Sequence, residues 1–385
     1  MAAPAEPSPE VERTAGAVAA AATPVPLPDL GLAARRGDGG ITLFRMPLSE
    51  LEAGFGVPQV VRGLPASSGY LYDRIKVLAG DFANFSVGDD GTADHILWRA
   101  RGDGSIAVDV VAGGSSTTPQ PLRVLSRSAG WSWTNSRPTV GDVNGDGWDD
   151  LVVRHASSRT RVNTFVLLSN GQTLGAPVHW LTEPYAQGVD ESRYLAGDFA
   201  QPGGVSADGA DDLVKVWHII QPGGRDGGFQ VDACPNVGTG FDPQCYQIAN
   251  ATTGGWSYPA SRHLVGDVTG DGDDDLVTIH SGRNGLTAWT WPSDHFWDPA
   301  ELWADLRSGG WSYTASRQYL ADTDGDYLAD LISVHRSGTG GIAVFRHISD
   351  GTSFAAPELI ANLRGGWNWS LSRESVADTW GELVE

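Results

Sequence analysis

The stretch GDVNGDGWDDLVVRH, residues 141–155, decides the fold because close copies of it recur along the chain. GDVTGDGDDDLVTIH spans residues 266–280, and ADTDGDYLADLISVH spans residues 321–335. Two looser copies with insertions begin at Gly80 and Gly197, and a shortened copy, ADTWGELVE, ends the chain. The leading aspartates recur about every 56 residues, so the chain consists of repeated units of one supersecondary type.

A second motif precedes the first by a fixed distance. The copies GWSWTNSR, GWSYPASR, GWSYTASR and GWNWSLSR start at Gly130, Gly255, Gly310 and Gly366. The basic residue that ends each copy lies five positions before the leading aspartate, and GYLYDRIK from Gly69 fits the same frame. The third unit keeps only Ser192 and Arg193 and lacks the aromatic pair. Each unit has room for four short strands, because Asn-Gly, Asp-Gly and Gly-Gly pairs mark hairpin turns within it.

A four-stranded unit repeated at this period is a propeller blade. We therefore predict an all-β fold, a six-bladed β-propeller of four-stranded blades, in which the last blade is closed by N- and C-terminal strands. The segments GITLFRMP and VPQVVRGLP match the outer half of the preceding unit, whereas the chain ends where a second strand belongs. We expect two inner strands from the C-terminus and two outer strands from residues 41–64, which leaves no free sheet edge at the closure.

The Ala/Pro-rich residues 1–40 have neither a basic n-region nor a sufficient apolar h-region, so they are not a signal peptide by pattern. We predict a disordered leader or linker over 1–40, either a mature start or a connection to another domain, and the propeller over 41–385.

With 47 acidic and 26 basic residues the net charge is −21, which argues against nucleic acid as a partner. No apolar run reaches the length of a membrane span, so membrane insertion is not expected.

The two cysteines, Cys234 and Cys245, lie eleven residues apart in a Gly/Pro-rich loop. We expect a disulfide between them, which suits an oxidising compartment and a secreted protein. Two free thiols are the alternative.

The Asp-rich loops carry the pattern of a calcium site. DVNGDGWDD places side-chain oxygens at positions 1, 3, 5 and 9, and Ca²⁺ takes six to eight oxygen ligands. Carboxylates crowded in this way repel one another without a cation, although an Asp/Gly turn without metal is the alternative.

We predict three to five structural Ca²⁺ ions. The three regular ligand sets are Asp142, Asn144, Asp146 and Asp150; Asp267, Thr269, Asp271 and Asp275; and Asp322, Asp324, Asp326 and Asp330. The copies with insertions offer Asp198, Asp208 and Asp212, and Asp81, Asp90 and Asp94.

DVNGDGWDDLVV and DVTGDGDDDLVT resemble the FG-GAP (VCBS) repeats of integrin-α-type β-propellers. The resemblance covers roughly residues 41–385. It implies that the loop joins the first two strands of a blade and holds Ca²⁺. It also suggests secreted bacterial and fungal proteins, several of which are lectins. The Phe-Gly and Gly-Ala-Pro flanks of the integrin version are missing here, so integrin ligand binding does not carry over.

Strand direction separates the Asp loops from a second candidate site. If each Asp loop joins strands one and two, the start of strand one and the end of strand two point to the opposite face. The aromatic and basic side chains predicted there as ligand-binding are Trp131, Trp133, Arg137, Trp256, Tyr258, Arg262, Trp311, Tyr313, Arg317, Trp367, Trp369 and Arg373. Sugar rings stack on aromatic side chains, and sugar hydroxyls accept hydrogen bonds from the planar guanidinium group of arginine. The alternative is structural, with tryptophans wedged between blades and arginines bonded to the next blade. The histidines at the ends of the second strands, His155, His218, His280 and His335, are expected as rim residues.

Three function classes remain open. A multivalent module that binds a cell-surface or extracellular glycan is favoured by the motifs that start at Gly130, Gly255, Gly310 and Gly366, which we call the aromatic steps. A scaffold with a protein partner is the second class. A polysaccharide lyase or hydrolase is the third, although no nucleophile elbow, HExxH motif or phosphate loop occurs. Catalysis breaks repeat symmetry, so an enzyme would use the insertions at 201–207, 221–246 or 291–297.

Overall fold

The computed structural model describes part of the chain, with gaps between the described segments. These segments are residues 28–49, 55–82, 94–113, 121–125, 130–158, 161–183, 192–201, 207–293, 299–307, 311–338, 340–376 and 380–381. They form six antiparallel sheets, five of four strands and one of five, and each contains the four strands of one blade in order. The all-β, six-bladed propeller predicted from the repeat is thereby confirmed.

The strands are numbered in chain order, and each blade is given from its inner strand outward. Blade 6 contains β24 (Ser372–Val376), β1 (Asp29–Arg35), β2 (Ile41–Pro47) and β3 (Gln59–Leu64). Blade 1 contains β4 (Ile75–Gly80), β5 (Asp94–Ala100), β6 (Ile106–Val111) and β7 (Leu122–Leu125). Blade 2 contains β8 (Ser136–Gly141), β9 (Asp150–Ser158), β10 (Arg161–Leu167) and β11 (Val178–Glu183). Blade 3 contains β12 (Ser192–Gly197), β13 (Asp212–Gln221), β14 (Arg225–Cys234) and β15 (Tyr246–Ala251). Blade 4 contains β16 (Ser261–Gly266), β17 (Asp275–Gly282), β18 (Gly285–Trp291) and β19 (Glu301–Asp305). Blade 5 contains β20 (Ser316–Ala321), β21 (Asp330–Arg336), β22 (Ile342–His347) and β23 (Glu358–Leu363).

The closing blade differs in detail from the expectation. Only β24 comes from the C-terminal region, and its neighbour is β1, with Ala33 paired to Arg373. Residues 29–40 therefore belong to the propeller and not to the leader, and the predicted boundary at residue 40 moves to about residue 28. In the sequence, the segment DLGLAAR resembles the Ala-rich tail that precedes it. Its only large apolar side chains are Leu30 and Leu32, which are buried in the structure.

The short C-terminal strand β25 (Trp380–Gly381) is the second correction. Instead of forming a second strand in blade 6, it pairs with β16, the inner strand of blade 4, at Leu264 and Val265. The second position in blade 6 is already occupied by β1, so the end of the chain pairs elsewhere.

The core lies between neighbouring blades. One buried cluster joins Trp98 and Val108 of blade 1 to Val140 and Leu151 of blade 2. Other clusters join blades 3 and 4, and blades 4 and 5, in the same way. Because each sheet buries side chains on both faces, every blade is stabilised by its neighbours.

Two further features bear on the setting of the protein. Cys234 at the end of β14 and Cys245 just before β15 form a disulfide, as predicted. Among the described residues, no helix has the length and apolar character needed to cross a membrane.

The strand register places the two motifs at opposite ends of each blade. In blade 4, Gly266 pairs with Asp275 at one end, and Ser261 pairs with His280 at the other. The Asp loops therefore lie on one face of the disc, which we call the loop face. The aromatic steps lie on the other, which we call the step face.

Candidate functional site

The first aspartate of each Asp loop organises the loop. The Asp142 carboxylate accepts hydrogen bonds from the backbone N–H groups of Gly145 at 2.8 Å and Gly147 at 2.7 Å. The Asp267 and Asp322 carboxylates accept equivalent bonds within their own loops. The glycines allow the positive φ angles that this tight path requires, for example +85° at Gly147.

The ninth position ties the loop to the third strand of its blade. Fully buried Asp275 accepts from the Val268 N–H at 3.0 Å and from the Ser293 N–H at 2.9 Å. Asp150 and Asp330 bond in the same way. Burial is the main cause that raises the pKa of Asp150 to about 8 and the pKa of Asp275 and Asp330 to about 7. A nearby cation would offset this cost of burying charge.

One regular loop brings three carboxylates together, and a second offers a buried hydroxyl. Carboxylate oxygens of Asp322, Asp324 and Asp326 lie within 4.8 Å of one another. At the third position of the blade 4 loop, the Thr269 hydroxyl is buried and forms no hydrogen bond within the described chain. Its oxygen is a free donor for a metal ion. Converging carboxylate and hydroxyl oxygens are the ligands that Ca²⁺ takes in proteins.

The loops with insertions are less regular. Asp198 accepts from the N–H groups of Asp208 at 3.0 Å and Gly209 at 2.6 Å, so its carboxylate folds the loop as Asp142 does. Asp212 accepts from the Asn236 N–H, and Asp94 accepts from the Gly113 N–H. Asp81 is half-buried, and Asp90 lies outside the described residues.

The eighth position of the loop has a role that the sequence analysis missed. Asp274 accepts from the Asp198 N–H of the preceding blade and donates its own N–H to the Asp198 carbonyl, both at 2.8 Å. Asp149 forms the same two bonds with Asp81. The Asp-Asp pair at positions eight and nine is the sequence signal for this role. The eighth residue bonds to the preceding blade, whereas the ninth bonds within its own blade.

The second aromatic of each step stacks on the basic residue of the preceding blade. Five blade boundaries share this arrangement, with the distance measured from the cationic group to the ring centroid. The pairs are Lys76 with Trp133 at 5.6 Å, Arg193 with Tyr258 at 4.1 Å, Arg262 with Tyr313 at 3.9 Å, Arg317 with Trp369 at 4.3 Å and Arg373 with Tyr72 at 4.6 Å. We call this pair the blade latch.

Hydrogen bonds reinforce the blade latch. Arg262 donates to the Tyr313 carbonyl at 2.5 Å and to Gln318 Oε1 at 3.0 Å. Arg317 bonds to the Glu374 carboxylate, and Arg373 bonds to the Ile75 carbonyl. Arg262 is only 6% exposed and Tyr258 only 5%, so neither can present its side chain freely to a ligand. These contacts favour the structural alternative, in which the arginines are bonded to the next blade.

Arg137 shows what happens where the next blade lacks the aromatic pair. It donates to the carbonyls of Thr134 and Ser136 in its own blade. Blade 3, the next one, belongs to the unit that keeps only Ser192 and Arg193 of the step.

The first aromatic of each step packs on a ring of the third strand in its own blade. The centroid distances are 5.2 Å for Trp131 and Phe165, 5.5 Å for Trp256 and Trp289, 4.9 Å for Trp311 and Phe345, and 4.7 Å for Trp367 and Phe44. Trp131 and Trp311 are buried, whereas Trp256 and Trp367 keep part of their surface exposed. The rim histidines His155 and His280 accept from or donate to the step serines at 3.0 Å.

A groove opens on one blade boundary, between β15 of blade 3 and the β17–β18 hairpin of blade 4. Its volume is about 630 Å³. Its aromatic wall consists of Trp256, Trp289 and Trp291. Its polar groups are Gln247, Asn250, Thr253, His280, Arg283, Asn284, Thr287 and Arg307, and no acidic residue lines the described groove. Of the twelve predicted ligand-binding residues, only Trp256 lines the groove. Trp289 and Arg283 also line it but were not predicted; the sequence signals that pointed to them are the WTW and GRNG stretches.

The comparisons agree with the fold. Residues 134–158 match the FG-GAP repeat family. No curated protein matches the chain. A lectin of Agrocybe aegerita, described as specifically recognising non-reducing terminal N-acetylglucosamine, has a TM-score of 0.55 at 15% identity, covering 91% of this chain and 95% of its own. AofleA of Arthrobotrys oligospora has a TM-score of 0.46 at 10% identity, covering 90% of this chain and 85% of its own. At 15% identity, the likeness to the Agrocybe aegerita lectin is one of fold.

Proposed function

We propose that the protein is a secreted, calcium-stabilised propeller that binds carbohydrate, and that the groove between β15 and β18 is its binding site. The observation that carries the proposal is the pairing of two partly exposed indole rings, Trp256 and Trp289, in a groove rimmed by amide, hydroxyl and guanidinium groups.

The chemistry of the groove suits a sugar. Pyranose rings present C–H faces that stack on an indole, and their hydroxyls need donors and acceptors in fixed positions. Asn250 and Gln247 offer both, and Arg283 offers a planar fork of donors. Arg283 is exposed and forms no hydrogen bond or ion pair with the described chain, so its donors are available to a ligand.

One other boundary supplies a basis for multivalency. Trp367 and Phe44 occupy the same register as Trp256 and Trp289 and keep part of their surface exposed, whereas Trp131 and Trp311 are buried. Weak sites repeated on a rigid disc would raise avidity for a repeating surface glycan. The lectin described for Agrocybe aegerita, which has the same fold, supports a carbohydrate as the ligand class.

Calcium would have a structural role in this proposal. The loops led by Asp142, Asp267 and Asp322 would hold it on the loop face, whereas the groove opens at the side of the disc between blades 3 and 4. Bound calcium would compensate the crowded carboxylates and stabilise the first hairpin of each blade. The disulfide supports secretion because such bonds persist in oxidising compartments.

A glycan array tests the proposal with three variants. Arg283→Ala and Trp289→Ala should each lower the signal on every bound glycan by about tenfold, as expected for a loss of about 1.4 kcal/mol. Tyr327→Asn is the matched control, because Tyr327 is 66% exposed on the loop face and has a positive φ that asparagine tolerates. Arg283→Ala should leave the melting temperature unchanged. A wild-type protein that binds no glycan, or an equal loss for Tyr327→Asn, would refute the proposal.

A further inference from the structure

An arginine occupies the core at the boundary of blades 2 and 3. Arg154 lies on β9, opposite Arg137, and is only 2% exposed. The residues at the same register in blades 1, 4 and 5 are the apolar Trp98, Ile279 and Val334. Arg154 is the exception, and it lies at the boundary with blade 3, whose unit lacks the aromatic pair of the step.

The guanidinium of Arg154 is only partly satisfied. It lies 3.9 Å from the ring centroid of Tyr194, and its Nη1 donates a long hydrogen bond of 3.4 Å to the Ser192 carbonyl. Its Nε and Nη2 form no hydrogen bond within the described chain. Because arginine does not lose its proton in proteins, a buried guanidinium needs acceptors for these donors.

Two buried hydroxyls without partners belong to the same boundary. Thr164 pairs directly with Arg154 across β9 and β10, so the two side chains share one face of the sheet. The hydroxyls of Thr164 and Ser192 form no hydrogen bond within the described residues. In blades 2 and 4 the step serine bonds to a histidine, but Ser192 stands opposite Trp217.

The neighbouring carboxylates are already used. Glu183 accepts from the Tyr194 hydroxyl and from Lys215 Nζ, both at 2.7 Å. Asp232, which pairs with Lys215 across the strands, accepts from Trp217 Nε1 and Gln230 Nε2. No carboxylate of the described chain bonds to Arg154, so its positive charge has no direct counterion there.

We propose that this boundary binds a small monovalent anion of the halide class. Arg154 Nε and Nη2 would donate to it, and the hydroxyls of Thr164 and Ser192 would complete its shell. The anion would reinforce the stack of Arg154 on Tyr194, which takes the place of the blade latch between blades 2 and 3. A water molecule would accept the same bonds but would not neutralise the guanidinium, and attraction between opposite charges is strong in a dry interior.

Bromide is the probe. Crystals grown with sodium bromide should show one anomalous peak within hydrogen-bond distance of Arg154. In solution, chloride in place of gluconate at equal ionic strength should raise the melting temperature by about 2 °C. Arg154→Met should abolish that rise. Arg99→Met is the control, because Arg99 is also buried but is paired with Asp109, and it should keep the rise.

Two results would overturn the proposal. One is density at Arg154 that refines as water without anomalous signal. The other is an equal response of wild type and Arg154→Met to chloride. If Arg154→Met does not fold, the bromide map of the wild-type protein decides alone.

Discussion

Arg262→Ala should be among the most damaging single changes on the step face. The substitution removes the stack on Tyr313 at 3.9 Å and the hydrogen bonds to the Tyr313 carbonyl and Gln318. A desolvated cation–π pair contributes about 1–2 kcal/mol. A hydrogen bond from a charged donor contributes about 1.5–3 kcal/mol. These terms overlap, and water can enter the space left behind, so we expect a loss of about 3 kcal/mol.

The assay is thermal and urea denaturation of the variant beside wild type. The unfolding entropy is about 2.1 cal/mol/K per residue, so 3 kcal/mol corresponds to roughly 4 °C in a chain of this length. Arg283→Ala is the matched control, because Arg283 is exposed and unbonded within the described chain. A loss below about 0.5 kcal/mol, the level of an ordinary surface substitution, would show that the latch does not hold the blades together.

Three further predictions concern metal, disulfide and pH. EDTA should lower the melting temperature, and Asp326→Ala should remove one Ca²⁺ in metal analysis; an unchanged calcium content would contradict the ligand set. Cys234→Ser with Cys245→Ser should cost about 2–3 kcal/mol in urea denaturation, because the closed loop is short; a loss near zero would contradict it. In EDTA, the free energy of unfolding should fall as the pH rises from about 4, the usual aspartate pKa, to about 8, and should level off above that. Burial raises the pKa of Asp150 to about 8 and of Asp275 and Asp330 to about 7, so the folded state binds these protons more tightly than the unfolded chain. Saturating calcium should flatten this slope, and an equal slope in both conditions would be the contrary result.

The repeat made the architecture predictable. The spacing of the leading aspartates and the hairpin signals were enough for six four-stranded blades, and the register of Ser261 with His280 confirms which motif lies on which face. The disulfide followed from two cysteines in one loop. These features are local or periodic, so the sequence shows them directly.

The closing blade and the groove were less accessible because they depend on distant parts of the chain. Whether β1 or a C-terminal strand lies beside β24 is a choice between two segments that both lack a strong strand pattern. The role of the arginines also depends on the neighbouring blade, since Arg262 and Tyr313 are far apart in sequence. From the pattern alone, a residue that recurs in every unit is equally compatible with packing and with ligand binding.

The most direct test of the account is an electron-density map of crystals soaked with the monosaccharide that the glycan array identifies. The account predicts a pyranose ring stacked on Trp289 or Trp256, with a hydroxyl in hydrogen-bond distance of Arg283 or Asn250. Sugar bound on the loop face with the groove holding only solvent would contradict it.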